Sequence, residues 1–189
     1  MTLTEFFKRF AIFDDREIEA FVPLFTVRHL KKGASFIREG TRCTEVAFIE
    51  TGIFRSYYAK ENGEEVTYCF RFPGDLLGAY SSFITGDPGL ETLCALSDAS
   101  LLVIQKKDLD RWVTENPKWM VFLKVVAEQQ YLELENRIFQ LLRETAAERY
   151  AYLLRHHPIY IQQIPLHYLA SFLGITQRHL SRIRKEITF

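Results

Sequence analysis

The sequence predicts an α+β chain: an antiparallel β-roll of the double-stranded β-helix or jelly-roll type, then one long helix, then a C-terminal helix-turn-helix. Three observations predict it. Between Val27 and Ile104, short runs rich in β-branched and aromatic residues alternate with Gly, Asn, Asp and Pro turn signals, the pattern of a sandwich or roll. From Trp119 to Arg143, no Gly or Pro interrupts a run of strong helix formers. The last segment, PLHYLASFLGITQRHLSRIRKEI, reads as two short helices meeting at a Gly.

At the N-terminus, residues 3–10 and 14–25 carry helix-like spacing, and Asp14 and Asp15 stand where a carboxylate caps a helix and favours its positive end. Strands are expected at 34–38, 46–50, 53–59, 66–72, 93–96 and 101–104, bounded by signals such as Thr51-Gly52, Pro73-Gly74-Asp75 and Gly86-Asp87-Pro88-Gly89. Asn62-Gly63 favours a hairpin with a type I′ turn, in which both central residues need positive φ. Residues 106–115 read as a short helix stopped at Asn116-Pro117, because the residue before proline is pushed out of helical geometry. Pro117 then suits the first turn of the next helix.

That next helix, about 25 residues and roughly 37 Å long, sets Trp119, Phe122, Leu123, Val126, Gln129, Gln130, Glu133, Ile138, Leu141 and Leu142 at three- to four-residue steps. Two readings follow. The stripe packs along the roll, or it faces a two-fold mate as a dimerisation helix. After a helix-like stretch at 145–155, His156-His157-Pro158 is a break. Pro165 then starts a helix with Leu166, Leu169, Ala170 and Leu173 on one face, and Gly174 supplies left-handed turn geometry. Thr176 caps a last helix whose Leu180 and Ile183 point inward. The expected divisions are a roll domain at 1–116, the long helix at 117–143 and a helix-turn-helix domain at 144–189.

Composition excludes several classes. With 48% hydrophobic and 14% aromatic residues, the 189-residue chain can bury a core and is not mainly disordered. No apolar run approaches the roughly 18 residues that cross a bilayer, and the N-terminus has no secretory h-region, so a cytoplasmic protein without a membrane partner is expected. Cys43, Cys69 and Cys94 are odd in number and scattered, which suits neither a disulfide framework nor a cysteine-ligated metal or cluster. Of the five histidines only His29 falls near the strands, too few for a metal site. No P-loop, nucleophile elbow or dinucleotide fingerprint occurs, so no cofactor and no enzymatic activity are expected.

The zero net charge conceals a division. Residues 1–142 carry 17 basic and 21 acidic side chains, net −4, whereas residues 143–189 carry 7 and 3, net +4. A basic end suits phosphate. The polar positions of the last helix are Thr176, Gln177, Arg178, His179, Ser181, Arg182 and Lys185, the candidate DNA-binding residues. Arginine pairs with guanine edges and glutamine with adenine edges, which makes Gln177, Arg178 and Arg182 the candidate base readers; Thr176, His179 and Ser181 suit phosphate or the groove edge. The alternative is a helical hairpin with solvated cations, in a small-ligand-binding or protein-interaction module that does not bind DNA.

The order of roll, long helix and helix-turn-helix, with KKGASFIREG (31–40), FIETGIFRSY (48–57), FPGDLLGAYSSF (72–83) and ASFLGITQRHLSRIRK (170–185), resembles the Crp/Fnr family of bacterial transcription regulators. It is most similar to a compact branch common in Bacteroidetes-type bacteria. The resemblance implies a cyclic-nucleotide-binding-type sensor, a homodimer through Trp119–Arg143, and insertion of Thr176–Ile187 into the major groove of a pseudo-palindromic operator on double-stranded DNA. It also implies a ligand pocket around Gly78, Ala79, Tyr80, Ser81, Ser82, Glu91 and Thr92.

The cassette departs from that family pattern. Ala79 stands where cyclic-nucleotide binders place a Glu for the ribose, and Leu90 or Glu91 stands where they place an Arg for the phosphate; no Arg lies between Arg71 and Arg111. A buried phosphate without a cation costs on the order of several kcal/mol, so cAMP and cGMP are not expected in the usual mode. Tyr57, Tyr58, Tyr68, Phe70 and Phe83 suit the walls of a pocket for an unidentified small-molecule effector, and suit equally a filled roll that serves as a scaffold. Family members often carry Glu, a hydrogen-bond acceptor, at the position of Arg178. Arginine cannot accept, so the operator is expected to differ there.

Overall fold

Two capping boxes open the chain. The Thr2 hydroxyl accepts the Glu5 N–H at 3.2 Å and the Glu5 carboxylate accepts the Thr2 N–H at 2.8 Å, starting α1 (Leu3–Lys8). Asp14 and Glu17 repeat the exchange at 3.0 and 2.9 Å for α2 (Asp15–Phe21). Pro23 converts the rest of the expected second helix into a single 3₁₀ turn, Val22–Leu24. The computed structural model describes residues 1–187, which divide into two units: residues 1–59 with 68–125, and residues 60–67 with 126 onward.

The first unit is the roll with its N-terminal helices. One antiparallel sheet has the order β1 (Thr26–Leu30), β8 (Ala99–Gln105), β3 (Glu45–Thr51), β6 (Leu76–Leu77); the other runs β2 (Ser35–Ile37), β7 (Thr92–Ala95), β4 (Phe54–Ala59), β5 (Glu65–Arg71). Register is set by pairs such as Leu30 with Ala99, Glu45 with Gln105 and Phe54 with Ala95. Alternate residues turn inward, and Ile37, Ala47, Ile49, Phe54, Leu77, Leu93, Ala95, Leu101 and Val103 form one buried cluster.

A second core is aromatic. Phe7 meets Phe21 at 4.7 Å, Phe13 meets Trp119 at 4.7 Å, and Trp112 stacks on Trp119 at 4.9 Å. These contacts join α1 and α2 to α4 (Lys106–Glu115) and to the start of α5 (Lys118–Arg143). Beside them Lys118 Nζ donates to Glu17 at 2.5 Å and Asn116 donates to the same carboxylate at 2.8 Å. The Lys118 ammonium, then the Asp14 N–H, hold Glu17 down from 4.5 to about 2. A carboxyl lowered on folding stabilises above its unfolded pKa and loses that contribution as pH falls through the folded one. Lys118→Met should therefore lower Tm at pH 7 more than at pH 2.5; an equal loss at both pH values in thermal melts would contradict this.

The second unit is helical. It contains the β4–β5 hairpin tip (60–67), the later turns of α5, then α6 (Ala146–His156), α7 (Pro158–Gln163), α8 (Leu166–Phe172) and α9 (Gln177–Ile187). Leu153, Ile164, Leu169, Leu173, Leu180 and Ile183 are buried. Thr145 and Glu148 form a third capping box at α6.

Several sequence expectations need correction. Gly63 is left-handed at φ +81, but Asn62 is not, so the turn is not type I′. The Asn62 side-chain oxygen accepts the Glu64 N–H at 3.0 Å and the Gly63 N–H reaches the Lys60 carbonyl at 2.9 Å, which closes a longer loop instead. Strand β1, the two-residue β6 and helix α7 lie outside the expected elements. Along α5, Trp119 and Phe122 are buried in the aromatic core, as packing along the roll expects, whereas Tyr131, Leu134, Ile138, Leu141 and Leu142 are exposed. The exposed stripe passes through Tyr131 and Leu134 rather than through Gln129, Gln130 and Glu133.

Candidate nucleic-acid interface and sensor cassette

The helix-turn-helix is built around the end of α8. The Ile175 N–H bonds back to the Ala170 carbonyl at 3.0 Å and the Gly174 N–H to the Ser171 carbonyl at 3.0 Å, a Schellman pair that requires the left-handed Gly174 (φ +71). Thr176 then caps α9, its hydroxyl accepting the His179 N–H at 3.2 Å. Leu180 and Ile183 are buried, and they fix which side of α9 faces outward. Gln177, Arg178, His179, Arg182 and Lys185 are exposed, and Ser181 is half-buried.

Arg178, Ser181, Arg182 and Lys185 fall at three- and four-residue steps and share a face. Arg178, Arg182 and Lys185 have no acidic partner among the described residues, so their charges are available to a ligand. The Ser181 hydroxyl donates to the Gln177 carbonyl at 3.0 Å and keeps its lone pairs to accept. Eleven residues make α9 about 16 Å long, short and narrow enough for a major groove.

The cassette is more tightly built than its sequence suggests. Ala79 has no exposed surface and belongs to the roll core, and a Cβ on Gly78 would meet Val46 at 3.5 Å. Ser82, also buried, accepts the Cys43 N–H at 2.9 Å and donates to the Asp87 carbonyl at 2.5 Å. The Thr92 hydroxyl accepts the Glu39 N–H at 3.1 Å. These three side chains brace the fold. Ser81, at the start of α3 (Tyr80–Thr85), is exposed; Tyr80 is half-buried, and burial pushes its phenol up.

Glu91 is the chemically distinctive residue. The Ser56 hydroxyl hydrogen-bonds to its carboxylate. Burial raises its pKa, against the opposing effects of Ser56 and the Arg71 charge. No hydrogen bond joins Glu91 to Tyr80 among the described residues. Ser56 and Arg71 were not among the expected site residues. They come from β4 and β5, outside the cassette, where no local spacing could flag them; residues 72–110 hold no arginine, and the charge that acts on Glu91 is that of Arg71 on β5. Buried Arg55, on β4, lies 4.3 Å over the Tyr57 ring.

A cavity of about 260 Å³ opens between β2 and the loop to β3, lined by residues that include Ile37, Arg38, Arg42 and Cys43 and none of the seven expected ligand residues. Burial pushes the Cys43 thiol up, away from the reactive thiolate. Among the described residues no cluster of His, Cys, Asp and Glu could hold a metal ion, and no helix is long and apolar enough to cross a membrane.

Comparison with known proteins finds a matching domain model and several similar proteins. Residues 27–116 match the model of the cyclic nucleotide-binding domain. The transcriptional activator protein Anr of Pseudomonas protegens is 24% identical over 160 residues, which cover 85% of this chain and 62% of Anr. The chain thus spans less than two thirds of that relative's length. FixK2 of Bradyrhizobium japonicum has a similar structure, with a TM-score of 0.77 at 20% identity over 87% of this chain and 84% of its own. A crp/fnr-family putative transcriptional regulator from Eubacterium rectale gives 0.74 at 16% identity, over 97% and 88%. At such identities the structural likenesses speak for the fold. The roll carries a match to the cyclic nucleotide-binding domain at residues 27–116, and the chain is similar, in sequence to Anr and in fold to FixK2 and the crp/fnr-family regulator.

Proposed function

We propose that the chain is a homodimeric, sequence-specific DNA-binding transcription regulator. The observation that carries this reading is the outer face of α9, where Arg178, Arg182 and Lys185 lie together without acidic partners among the described residues while Leu180 and Ile183 anchor the helix from behind. Gln177, Arg178 and Arg182 read base edges; Thr176, His179, Ser181 and Lys185 meet phosphates or the groove edge. The exposed stripe of α5 pairs with a second copy, and two α9 helices then address half-sites about 34 Å apart on a pseudo-palindrome. The net +4 of residues 143–189 draws this end to DNA, and the net −4 of the remainder keeps non-specific affinity modest.

The sensor does not take cAMP or cGMP in the usual mode. Ala79, buried in the core, offers the ribose no carboxylate, and Glu91 brings negative charge to the cassette while the nearby Arg71 charge already acts on it. Any effector is a small molecule that tolerates a half-buried carboxyl.

In vitro selection from random duplexes, followed by measurement on Arg182→Ala, tests the reading. The variant should lose about 1–3 kcal/mol of discrimination at one position in each half-site and keep its other preferences. A variant that binds the selected operator unchanged contradicts the base-reading assignment. A wild-type protein with no salt-dependent retention on duplex DNA favours the module that does not bind DNA.

A further inference from the structure

Two arginines of the roll unit have no charged or aromatic partner among the described residues, and both line one cavity. They are Arg38 and Arg42, in the wall of the cavity of about 260 Å³ between β2 and the loop to β3. Other guanidiniums of this unit are engaged: Arg9 lies over Phe6, Arg28 pairs with Glu45, Arg55 lies over Tyr57, the Arg71 charge acts on Glu91, and Arg111 meets Glu115. Arg16 on α2 is also unpaired among the described residues, but it lines no part of this cavity.

Nearby acids do not cancel the charge. Glu45 supplies the one carboxylate of the wall, and both its oxygens accept from Arg28, with Gln105 donating to one of them at 2.8 Å. The Glu39 carboxylate is turned to the Ala59 N–H at 3.3 Å. Asp87 adjoins Pro88, whose backbone bridges to Arg42, yet it makes no ion pair among the described residues. The charges of Arg38 and Arg42 therefore stay uncompensated at the cavity. The Ser35 and Thr44 hydroxyls, in the same wall, also bind no group among the described residues.

The main chain between the two arginines is fixed at every residue. The Glu39 N–H donates to the Thr92 hydroxyl at 3.1 Å, the Gly40 N–H to the Gly89 carbonyl at 2.8 Å, and the Cys43 N–H to the Ser82 hydroxyl at 2.9 Å. The Thr41 N–H and hydroxyl both turn back to the Arg38 carbonyl, at 3.1 and 2.6 Å, and the Thr41 carbonyl accepts the Gly89 N–H at 2.8 Å. Arg42 forms the bridge to Pro88. A frame already ordered lowers the entropy that a ligand must offset.

We propose that this cavity binds a small anion through Arg38 and Arg42, its acidic group a carboxylate or a phosphate. A guanidinium offers only donors, in a planar fork that matches the oxygens of either group. The volume falls below the roughly 300–1,000 Å³ of drug-sized sites, so the occupant is small. None of the seven expected ligand residues of the cassette lines the cavity, and the site stands whether or not the chain binds DNA.

Amide NMR spectra of the full-length protein are titrated with sodium phosphate and, separately, with sodium succinate. Sodium chloride at 0.15 M screens exposed charges beyond about 8 Å. Phosphate can also reach the basic face of α9, so the readout is local: the amides of Gly40, Thr41 and Gly89. At least one anion should shift them along a saturable curve with a Kd of about 1 mM or tighter. A response to phosphate alone marks a phosphoryl ligand, and to succinate alone a carboxylate. Arg38→Gln and Arg42→Gln should each weaken binding about tenfold, whereas Arg16→Gln should not. Both cavity arginines are exposed, so the spectrum away from the loop should be unchanged in their variants. The site is overturned by the absence of a saturable shift at these amides with either anion. Undiminished affinity in both cavity variants, or an equal loss in Arg16→Gln, overturns it as well.

Discussion

Replacing Arg149 with alanine is expected to unfold the helical unit of residues 126–187 far below the melting temperature of the intact protein. Arg149 is 9% exposed, and all its hydrogen bonds go to helix-end carbonyls. Nε and Nη2 reach Leu173 at 3.3 and 2.9 Å; Nη1 reaches Gln140 at 3.4 Å and also Glu144. The last carbonyls of a helix have no partner within it, so one guanidinium here satisfies the ends of both α5 and α8 and places a cation at two negative helix poles. Alanine strips the Leu173 and Glu144 carbonyls of these donors, leaves Gln140 with the Glu144 N–H at 3.1 Å, and opens a void.

At about 1–3 kcal/mol for each buried group left unsatisfied, the loss should total about 3–5 kcal/mol, much of the stability of a unit this small. Lysine should recover only part, because one ammonium cannot reach both helix ends in the planar fork geometry of arginine. Thermal melts followed by circular dichroism, with duplex-DNA retention in parallel, would read the effect. A Tm within a few degrees of wild type for Arg149→Ala would show that the carbonyls find other donors.

The reach of the sequence stops at residues of this kind. Helices α4, α5 and α9 are legible because their boundaries rest on local chemistry: Asn116-Pro117, the uninterrupted run to Arg143, and Thr176 behind Gly174. The inward Leu180 and Ile183 are legible from period alone. Arg149 is not, since in the sequence it is one more basic residue on an amphipathic helix and its acceptors lie 5, 9 and 24 positions away. Ser56 and Arg71 are hidden for the same reason. Their relation to Glu91 exists only once β4, β5 and β7 are neighbours, and a search along the cassette meets no cation. The Asn62-Gly63 turn failed differently: the pair marks the hairpin correctly, but the Asn62 side chain takes a backbone N–H and excludes the positive φ that the two-residue turn needs. Strand β1 lacks a marker because all five of its residues are exposed or half-buried, which erases the alternation.

Gly52→Ala should be the most damaging single change in the roll, and the reason lies in the strand that crosses behind it. Gly52 turns the chain from β3 in one sheet to β4 in the other at φ +97, a conformation L residues rarely adopt. A Cβ there would lie 2.5 Å from the Ala99 Cβ, 2.8 Å from the Ala99 Cα and 3.0 Å from the Asp98 carbonyl. None of these atoms belongs to a flexible side-chain end. Ala99 opens β8 and pairs with Leu30, and β8 lies between β1 and β3, so relief of the clash would move the middle of a sheet. The left-handed conformation costs roughly 1–2 kcal/mol and overpacking against fixed backbone about 1–3 more.

Gly63→Ala is the control. Gly63 has a similar φ of +81 but nothing within 4 Å of its missing Cβ, so it should show the backbone cost alone. Urea denaturation should rank Gly52→Ala well below Gly63→Ala, which should lie modestly below wild type; equal losses would refute the steric account. Ala99→Gly in the Gly52→Ala background removes the closest contact and leaves φ unchanged. The double variant should therefore be less destabilised than the two single changes sum to, a coupling that a purely conformational penalty at Gly52 could not produce.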